Sequence, residues 1–272
     1  MSPEAALKTV LVTAAGGGAA NNLIRALRAC RPGLCIVGTN IDRFSLARSL
    51  ADISYLAPRA DTGRAYVDAI RRIVATEQVA LVIPQNDSEV APLGRSRALL
   101  GARVLLPGDA AIECCQDKFR LYRHLTTRGV RMADTYEVGS IDDVDAIVQR
   151  LGSPERLWCR MRRGSGSMGS LPVSSAAQAR FWIHYWEEMR GVPCITEINI
   201  GRFFMISPVF HAVGRHNMAD LYLRLAFGEA VDVPAAERLD DVGTDDTFLV
   251  RELDHEPAVL TRAEIEASFR MP

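Results

Sequence analysis

Residues Thr9 to Gly18, TVLVTAAGGG, decide the fold of the first part of this chain. Thr9 to Thr13 is an apolar, β-branched run, and it breaks at the glycines Gly16 to Gly18. Three apolar residues then recur at helical spacing: Leu23, Ile24 and Leu27. We expect Asn21 to cap this helix, because Asn is a favoured N-cap residue. A strand, a glycine-rich turn and a helix in this order open a doubly wound α/β fold.

The same alternation continues for about a hundred residues. Further strands are predicted at residues 34–39, 79–83 and 103–106, and a helix with an apolar stripe at residues 64–76. Alternation of this kind predicts a parallel sheet with right-handed crossovers. We therefore predict an α/β fold class, with a Rossmann-like parallel-sheet domain over residues 1–112 and a second domain over residues 113–272.

Composition and charge exclude several classes of protein. The net charge is −1, so no general attraction to nucleic acid or to an anionic membrane is expected. No apolar run approaches the roughly 20 residues that span a bilayer. Six cysteines are present and none forms a CxxC pair, which is typical of free thiols in a reducing compartment. We expect a cytoplasmic protein with no nucleic-acid or membrane partner.

A candidate metal site lies in Thr196-Glu197-Ile198-Asn199. On a strand, side chains two positions apart point to the same face, so Glu197 and Asn199 would present two oxygen ligands side by side. Oxygen ligands suit a hard cation such as Mg²⁺. Glu-X-Asn alone is a weak signal, and its weight comes from the chain that precedes it.

Two cations and a glycine-serine loop precede this segment. Lys118 follows Asp117 at a predicted helix start, and Arg160 lies on a predicted strand. That strand runs into residues 163–170, RGSGSMGS. Small residues with free amide groups beside an arginine are typical of a mobile loop that covers a phosphate. A flexible surface loop without a ligand is the alternative.

Taken in order, these elements resemble the ATP-grasp superfamily, and most closely proteins similar to the large subunit of carbamoyl-phosphate synthase. The resemblance runs from about Lys8 to Glu229. It implies a pre-ATP-grasp domain followed by an α+β ATP-grasp domain that binds ATP and Mg²⁺. The residues it implies for the phosphates are Lys118, Arg160 and the loop residues Gly164, Ser165, Gly166 and Gly169. It implies Glu197 and Asn199 as Mg²⁺ ligands and Arg202 as a catalytic residue near the transferred phosphoryl group.

The resemblance also implies a reaction. The protein would be an ATP-dependent ligase that joins a small-molecule carboxylate to an amine or to ammonia through an acyl phosphate. Positioning and charge neutralisation carry phosphoryl transfer, and cations, amide groups and Mg²⁺ supply both. The sequence does not determine the oligomeric state, and a homo-oligomer is compatible with it.

Two departures from the family pattern leave a second function open. The arginine of the family's Glu-Ile-Asn-Pro-Arg pattern stands one position later, at Arg202. Gly169 and Glu197 are only 28 positions apart, whereas the strands and helix that the family places there need on the order of 60 residues. The predicted ATP-grasp domain is therefore incomplete. A non-catalytic relative that keeps a nucleotide-binding shape is the alternative to a ligase.

The glycine run permits a third function, that of an NAD(P)-dependent oxidoreductase. Amide groups at a helix N-terminus can hold a phosphate, and Asp42 could accept a hydrogen bond from a ribose hydroxyl. The run does not fit G-x-G-x-x-G, because Asn21 stands where the third glycine is required. The alternative is that Gly16 to Gly18 only form a tight strand-to-helix turn.

Overall fold

The computed structural model of the protein describes residues 8–153, 155–164, 169–189, 217–231 and 266–271. The strands are β1 (Thr9–Thr13), β2 (Ile36–Asn40), β3 (Ile53–Leu56), β4 (Val79–Ile83), β5 (Arg103–Val104), β6 (Leu157–Cys159) and β7 (Leu171–Val173). The helices are α1 (Gly18–Cys30), α2 (Arg43–Leu46), α3 (Arg64–Thr76), α4 (Asp87–Arg95), α5 (Asp109–Gln116), α6 (Lys118–Thr126), α7 (Val144–Arg150), α8 (Ala176–Met189) and α9 (Met218–Phe227). Short 3-10 helices cover Ala60–Thr62, Arg97–Leu99 and Ile141–Asp143.

Five strands form a parallel sheet in the order β3-β2-β1-β4-β5. β1 is central, and its Val10 pairs with Ile36 of β2 and with Leu81 of β4. Strands that helices cover on both faces must be apolar on both faces, which is why β1 reads as a continuous apolar run. The prediction of an α/β fold with a parallel sheet is confirmed.

The two faces of the sheet carry separate cores. Val10 and Val12 of β1 face α1 and α9, whereas Leu11 between them faces the cluster built around α3. This division follows from the alternation of side chains along a strand. α3 contributes five apolar side chains to the second core, Tyr66, Val67, Ile70, Ile73 and Val74.

α9 packs against the sheet domain that the first hundred residues form. Its Leu223 is buried against the apolar face of α1, and the Tyr222 hydroxyl donates to the carbonyl of Leu105 at 3.0 Å. The described chain accordingly divides into unit 1, which joins residues 8–106 to 217–231 and 266–271, and unit 2, residues 107–189. The domain limits 1–112 and 113–272 stay a prediction.

β3 was not predicted, and it is the edge strand of the sheet. It pairs with β2 on one side. On its other side the N–H of Arg270 donates to the carbonyl of Ser54 at 2.6 Å, and the N–H of Leu56 donates to the carbonyl of Arg270 at 2.8 Å. This main-chain pairing from a distant segment satisfies part of an edge that would otherwise be open.

The prediction that Asn21 caps α1 is wrong. Gly17 is the N-cap, and Asn21 lies inside the helix with its side chain buried. The Asn21 Oδ1 accepts the N–H groups of Gly16 and Leu50, and its Nδ2 donates to the carbonyl of Arg48. The amide thus ties the glycine turn to the segment after α2, a role that depends on distant partners.

Unit 2 combines helices with a small antiparallel hairpin. β6 and β7 pair with each other, with Leu157 opposite Val173. α7 and α8 pack on this hairpin around a small core of Val144, Val173, Ala179 and Ile183. Among the helices that the structure describes, none is both long enough and apolar enough to cross a membrane.

Candidate nucleotide-binding site

Asp117 organises the start of α6 in unit 2. Its side chain caps the helix by accepting the N–H of Arg120 at 3.0 Å. Its two oxygens also accept from the Arg162 Nε, each at 2.8 Å. Burial alone would raise the pKa of this carboxyl, but the hydrogen bonds from Arg162 and from the helix outweigh burial and hold the pKa below its usual value. Asp117 is therefore ionised near neutral pH, and its side chain is held in place by these hydrogen bonds.

Lys118, the next residue, is buried. Its Nζ donates to the carbonyl oxygen of Gly164 at 2.7 Å, and its N–H donates to the carbonyl of Arg162 at 3.1 Å. A lone lysine at a helix start is ordinarily solvent-facing, and here the side chain lies inward at the start of the glycine-serine loop. The structure therefore brings together Lys118 and Gly164, two of the residues that the sequence predicts for the phosphates.

The hairpin fixes both ends of that loop. Arg160 follows β6, and its Nε donates to the Ser170 Oγ at 3.1 Å. The N–H of Met161 donates to the carbonyl of Gly169 at 3.1 Å. Gly169 has a φ of +66°, and a Cβ there would collide with the Met161 side chain. Gly164 has a φ of +131°. Each end of the loop thus has a backbone conformation that favours glycine.

Arg162 is a site residue that the sequence interpretation missed. Besides binding Asp117, its guanidinium pairs through Nη1 with Glu137. Arg160 and Arg162 stand two positions apart after a strand, and this spacing is the signal that could have identified Arg162 as a partner for the helix start. The pair of carboxylates orients Arg162, which in turn aligns the hairpin with the first turn of α6.

Several predicted site residues lie outside the described residues. They are Ser165 and Gly166 of the loop, the predicted metal ligands Glu197 and Asn199, and the predicted catalytic Arg202. Their roles stay predictions. Among the residues that the structure does describe, no group of three or more His, Cys, Asp or Glu side chains could hold a metal ion.

The described part of the site has the donors that a phosphate requires. The Lys118 ammonium contacts Gly164 at one end of the loop, and the Arg160 guanidinium contacts Ser170 just after its other end. Charged N–H donors form short, strong hydrogen bonds with phosphate oxygens, and successive main-chain amides can add to them.

The glycine turn of unit 1 is already occupied by the protein's own groups. The Gly16 N–H donates to the Asn21 side chain at 3.2 Å, and the Gly17 N–H donates to the carbonyl of Ala14 at 3.1 Å. Gly16 has a φ of +85°, and a Cβ there would collide with the main chain of Ser45. These contacts favour the interpretation that the glycines form a tight turn against α2 and hold no phosphate.

Asp42 is likewise engaged within the protein. It caps α2 by accepting the N–H groups of Phe44 and Ser45, and it accepts the Ser45 hydroxyl at 2.7 Å. The hydroxyl hydrogen bond, with the two main-chain hydrogen bonds, lowers the pKa of Asp42. This arrangement is a helix cap and weakens the case for a ribose-binding carboxylate.

A buried carboxyl that the sequence interpretation did not single out lies at the carboxyl end of β1. Glu89 of α4 accepts the Thr13 hydroxyl at 2.5 Å and the Tyr66 hydroxyl at 3.0 Å. Thr13 in turn accepts the N–H of Gln85. Burial raises the pKa of Glu89 to about 7, although the hydrogen bonds from Thr13 and Tyr66 oppose the rise. The network joins β1, α3 and α4.

Several solved structures resemble this chain in fold. One is the biotin carboxylase domain of 2-oxoglutarate carboxylase from Hydrogenobacter thermophilus, with a TM-score of 0.53 and 18% identity over 70% of this chain and 44% of that chain. A second is biotin carboxylase from Campylobacter jejuni, with a TM-score of 0.52 and 13% identity over 70% of this chain and 45% of that chain. A third is L-amino acid ligase from Bacillus licheniformis, with a TM-score of 0.51 and 12% identity over 69% of this chain and 43% of that chain. The fold is that of the ATP-grasp proteins.

The ATP-grasp resemblance expected from the sequence is confirmed at the level of the fold. The chain spans less than half the length of each of these three relatives. The Hydrogenobacter domain was solved as a dimer with MgADP, ADP and bicarbonate. None of the three is a carbamoyl-phosphate synthase, so that finer resemblance stays a prediction. No protein-family model matches the sequence, and no curated protein matches it.

Proposed function

We propose that this protein is an ATP- and Mg²⁺-dependent ligase that joins a small-molecule carboxylate to an amine or ammonia through an acyl phosphate. The observation that carries the proposal is the buried Lys118 ammonium, 2.7 Å from the carbonyl of Gly164 at the base of the loop. The fold around it resembles that of biotin carboxylases that were solved with adenine nucleotides.

The described residues have defined tasks in this proposal. Lys118 and Arg160 would bind phosphate oxygens and neutralise their charge, beside Gly164 and Gly169 at the two ends of the loop. Asp117 acts through Arg162, because that ion pair holds the helix start and the hairpin in register. Phosphoryl transfer depends mainly on such positioning and charge stabilisation.

The remaining roles rest on the sequence pattern. Glu197 and Asn199 would hold Mg²⁺, which supplies charge neutralisation at the phosphates. Arg202 would lie near the transferred phosphoryl group. A carbamoyl-phosphate-synthase-like reaction and a cytoplasmic location belong to the proposal as well.

A non-catalytic nucleotide-binding protein is the second candidate, and one observation favours it. Only 28 positions separate Gly169 from Glu197, which is too few for the strands and helix that the family pattern places there. A protein of this kind would bind ATP through Lys118 and Arg160 without releasing ADP. Nucleotide binding and turnover must therefore be measured separately.

Affinity labelling tests nucleotide binding with an internal control. The chain contains two lysines, Lys8 and Lys118. An acyl-phosphate derivative of ATP transfers its acyl group to a lysine beside the bound phosphates. We expect labelling at Lys118 that free ATP suppresses. Lys8, whose Nζ lies 4.0 Å from the centre of the Phe227 ring, should show only background labelling.

Peptide mass spectrometry distinguishes the outcomes. Equal labelling of both lysines, or labelling of Lys118 that excess ATP leaves unchanged, would contradict nucleotide binding at this site. If Lys118 is protected, ADP release is then measured with mixtures of carboxylates and amines, with and without Mg²⁺. Protection without ADP release from any mixture would favour the non-catalytic candidate.

A further inference from the structure

Two arginines of α6, Arg120 and Arg123, form a stripe of positive charge on the face opposite Lys118. Residues 118–131 contain five Lys and Arg side chains and no Asp or Glu, in a chain whose net charge is −1. At about 100° per residue along a helix, Arg120, Arg123 and Thr127 fall on one side and Lys118 on the other. The stripe is therefore separate from the candidate nucleotide site.

The stripe borders a groove on the surface of unit 2. A groove of about 460 Å³ is lined by Arg120, Arg123, His124 and Arg162, with Phe119 beside them and Glu137 as its one acidic lining residue. This volume is within the range of small-molecule sites, about 300–1,000 Å³. Arg162 reaches the groove from the hairpin, so two separate elements of unit 2 contribute guanidinium groups to it.

The negative charge nearby does not neutralise the stripe. Glu137 is paired with Arg162. Arg120 lies 3.4 Å from Glu113, and both side chains are about half exposed, so this pair contributes little. Among the described residues Arg123 has no carboxylate partner. Like charges three residues apart repel one another, so the stripe costs the helix free energy when the groove holds no anion.

The helix dipole accounts for only part of the pattern. Cations in the last turn of a helix interact favourably with its C-terminus, which would explain Arg123 and His124. It does not explain Arg120, which stands in the first turn, where cations are disfavoured. The position of Arg162 follows from its ion pairs with Asp117 and Glu137. An anionic ligand in the groove would account for Arg120, Arg123 and His124 together.

His124 adds a hydrogen-bond donor to the groove lining. The Arg128 Nη1 lies 3.1 Å from the His124 Nδ1. A guanidinium can only donate, so Nδ1 is the acceptor and the neutral ring carries its proton on Nε2. The Arg128 contact thus fixes the tautomer that leaves Nε2–H as a donor.

We propose that this groove binds a phosphate group of a small phosphorylated ligand, at a site separate from Lys118. Guanidinium forks match the geometry of phosphate oxygens and bind them through paired hydrogen bonds. The limited volume of the groove favours a small molecule over an acidic polypeptide. The site therefore extends the protein's ligand set beyond the nucleotide and substrates of the proposed reaction.

Titration calorimetry with inorganic pyrophosphate at low ionic strength tests the proposal. We expect saturable binding that Arg123→Gln weakens about ten- to a hundredfold, as for loss of a charge-assisted hydrogen bond. Arg64→Gln is the matched control, because it removes one positive charge from an Arg side chain in unit 1 that is 95% exposed. It should leave the affinity unchanged. Lys118→Met removes the lysine of the candidate nucleotide site, and the part of the pyrophosphate binding that depends on Arg123 should persist in this variant.

Other outcomes overturn the proposal. Absence of binding would do so, as would binding that is lost in Lys118→Met and kept in Arg123→Gln, which assigns the pyrophosphate to the nucleotide site. Displacement of pyrophosphate by a short poly-glutamate peptide at much lower concentration would assign the groove to an acidic protein partner. If Arg123→Gln fails to fold by circular dichroism, Arg120→Gln takes its place with the same expected result.

Discussion

Replacing Glu89 by Gln should remove a pH dependence from the stability of unit 1. The wild-type carboxyl is buried against Thr13 and Tyr66, and burial raises its pKa from 4.5 to about 7. Below about pH 4.5 the carboxyl is protonated in both the folded and the unfolded chain. Between pH 4.5 and 7 the unfolded chain ionises first, so the free energy of unfolding falls as the pH rises.

The size of this effect follows from the two pKa values. The difference between 4.5 and about 7, at about 1.4 kcal/mol for each pKa unit, amounts to about 3 kcal/mol. Stability is retained below pH 4.5 and lost as the pH approaches 7. Gln has nearly the same shape and does not ionise. The free energy of unfolding of the variant, minus that of the wild type, should therefore be larger at pH 8 than at pH 5.

Urea unfolding followed by far-UV circular dichroism between pH 4.5 and 8 provides the measurement. The difference between wild type and Glu89→Gln cancels the other titrating groups. Glu229→Gln is the control, because the Glu229 side chain is about half exposed in the same unit. Hydrogen exchange of β1 and β4 peptides, corrected for intrinsic rates, localises the effect. A difference curve that stays flat within about 0.5 kcal/mol from pH 5 to 8 would refute the argument.

Three further substitutions have expected outcomes. Asp117→Ala removes the cap of α6 and takes one carboxylate partner from the Arg162 guanidinium, so unit 2 should lose about 2 kcal/mol of stability. Urea unfolding followed by tryptophan fluorescence measures this loss, because all the tryptophans lie between residues 107 and 189. A loss below about 0.5 kcal/mol would contradict the expectation. Gly16→Ala puts a Cβ against the main chain of Ser45 at a φ of +85°, and thermal unfolding should show a loss of more than about 1 kcal/mol in stability. Gly63→Ala is the control, because φ is also positive there but no atom lies within 4 Å of the added Cβ. It isolates the cost of the backbone conformation. Tyr222→Phe removes a partly buried hydrogen bond to the carbonyl of Leu105 after β5 and should cost about 1 kcal/mol by the same measurement. Unchanged stability would show that this hydrogen bond adds nothing.

Local patterns in the sequence were sufficient for the central elements of the fold. The predicted limits of β1, β4 and α3 agree with the structure, because each is a run whose own periodicity specifies it. The sequence does not predict β3, because this strand is only four residues long and depends on β2 and on the distant Arg270 for its hydrogen bonds. The cap expected at Asn21 is wrong for the same reason, since two partners of its side chain, Arg48 and Leu50, are remote in sequence.

The candidate site divides in the same way. The glycine-serine loop and the order of Lys118, Arg160 and Gly164 can be found in the sequence. The burial of Lys118 cannot, because it depends on how the hairpin places the Gly164 carbonyl beside α6. Arg162 and Glu89 escaped notice because ion pairs and hydroxyl networks form between elements that only the tertiary fold brings together.

The order in which the ribosome releases this chain bears on how unit 1 matures. Residues 8–106 emerge first and can form the sheet, but the apolar face of α1 acquires its partner α9 only after residues 107–216 have been synthesised. At about 5–20 residues per second this delay is on the order of 10 s. During it Leu23 and its neighbours have no α9 to cover them, and the β3 edge has no Arg270. Nascent chains halted before residue 217 should therefore bind chaperones more strongly than the finished protein does.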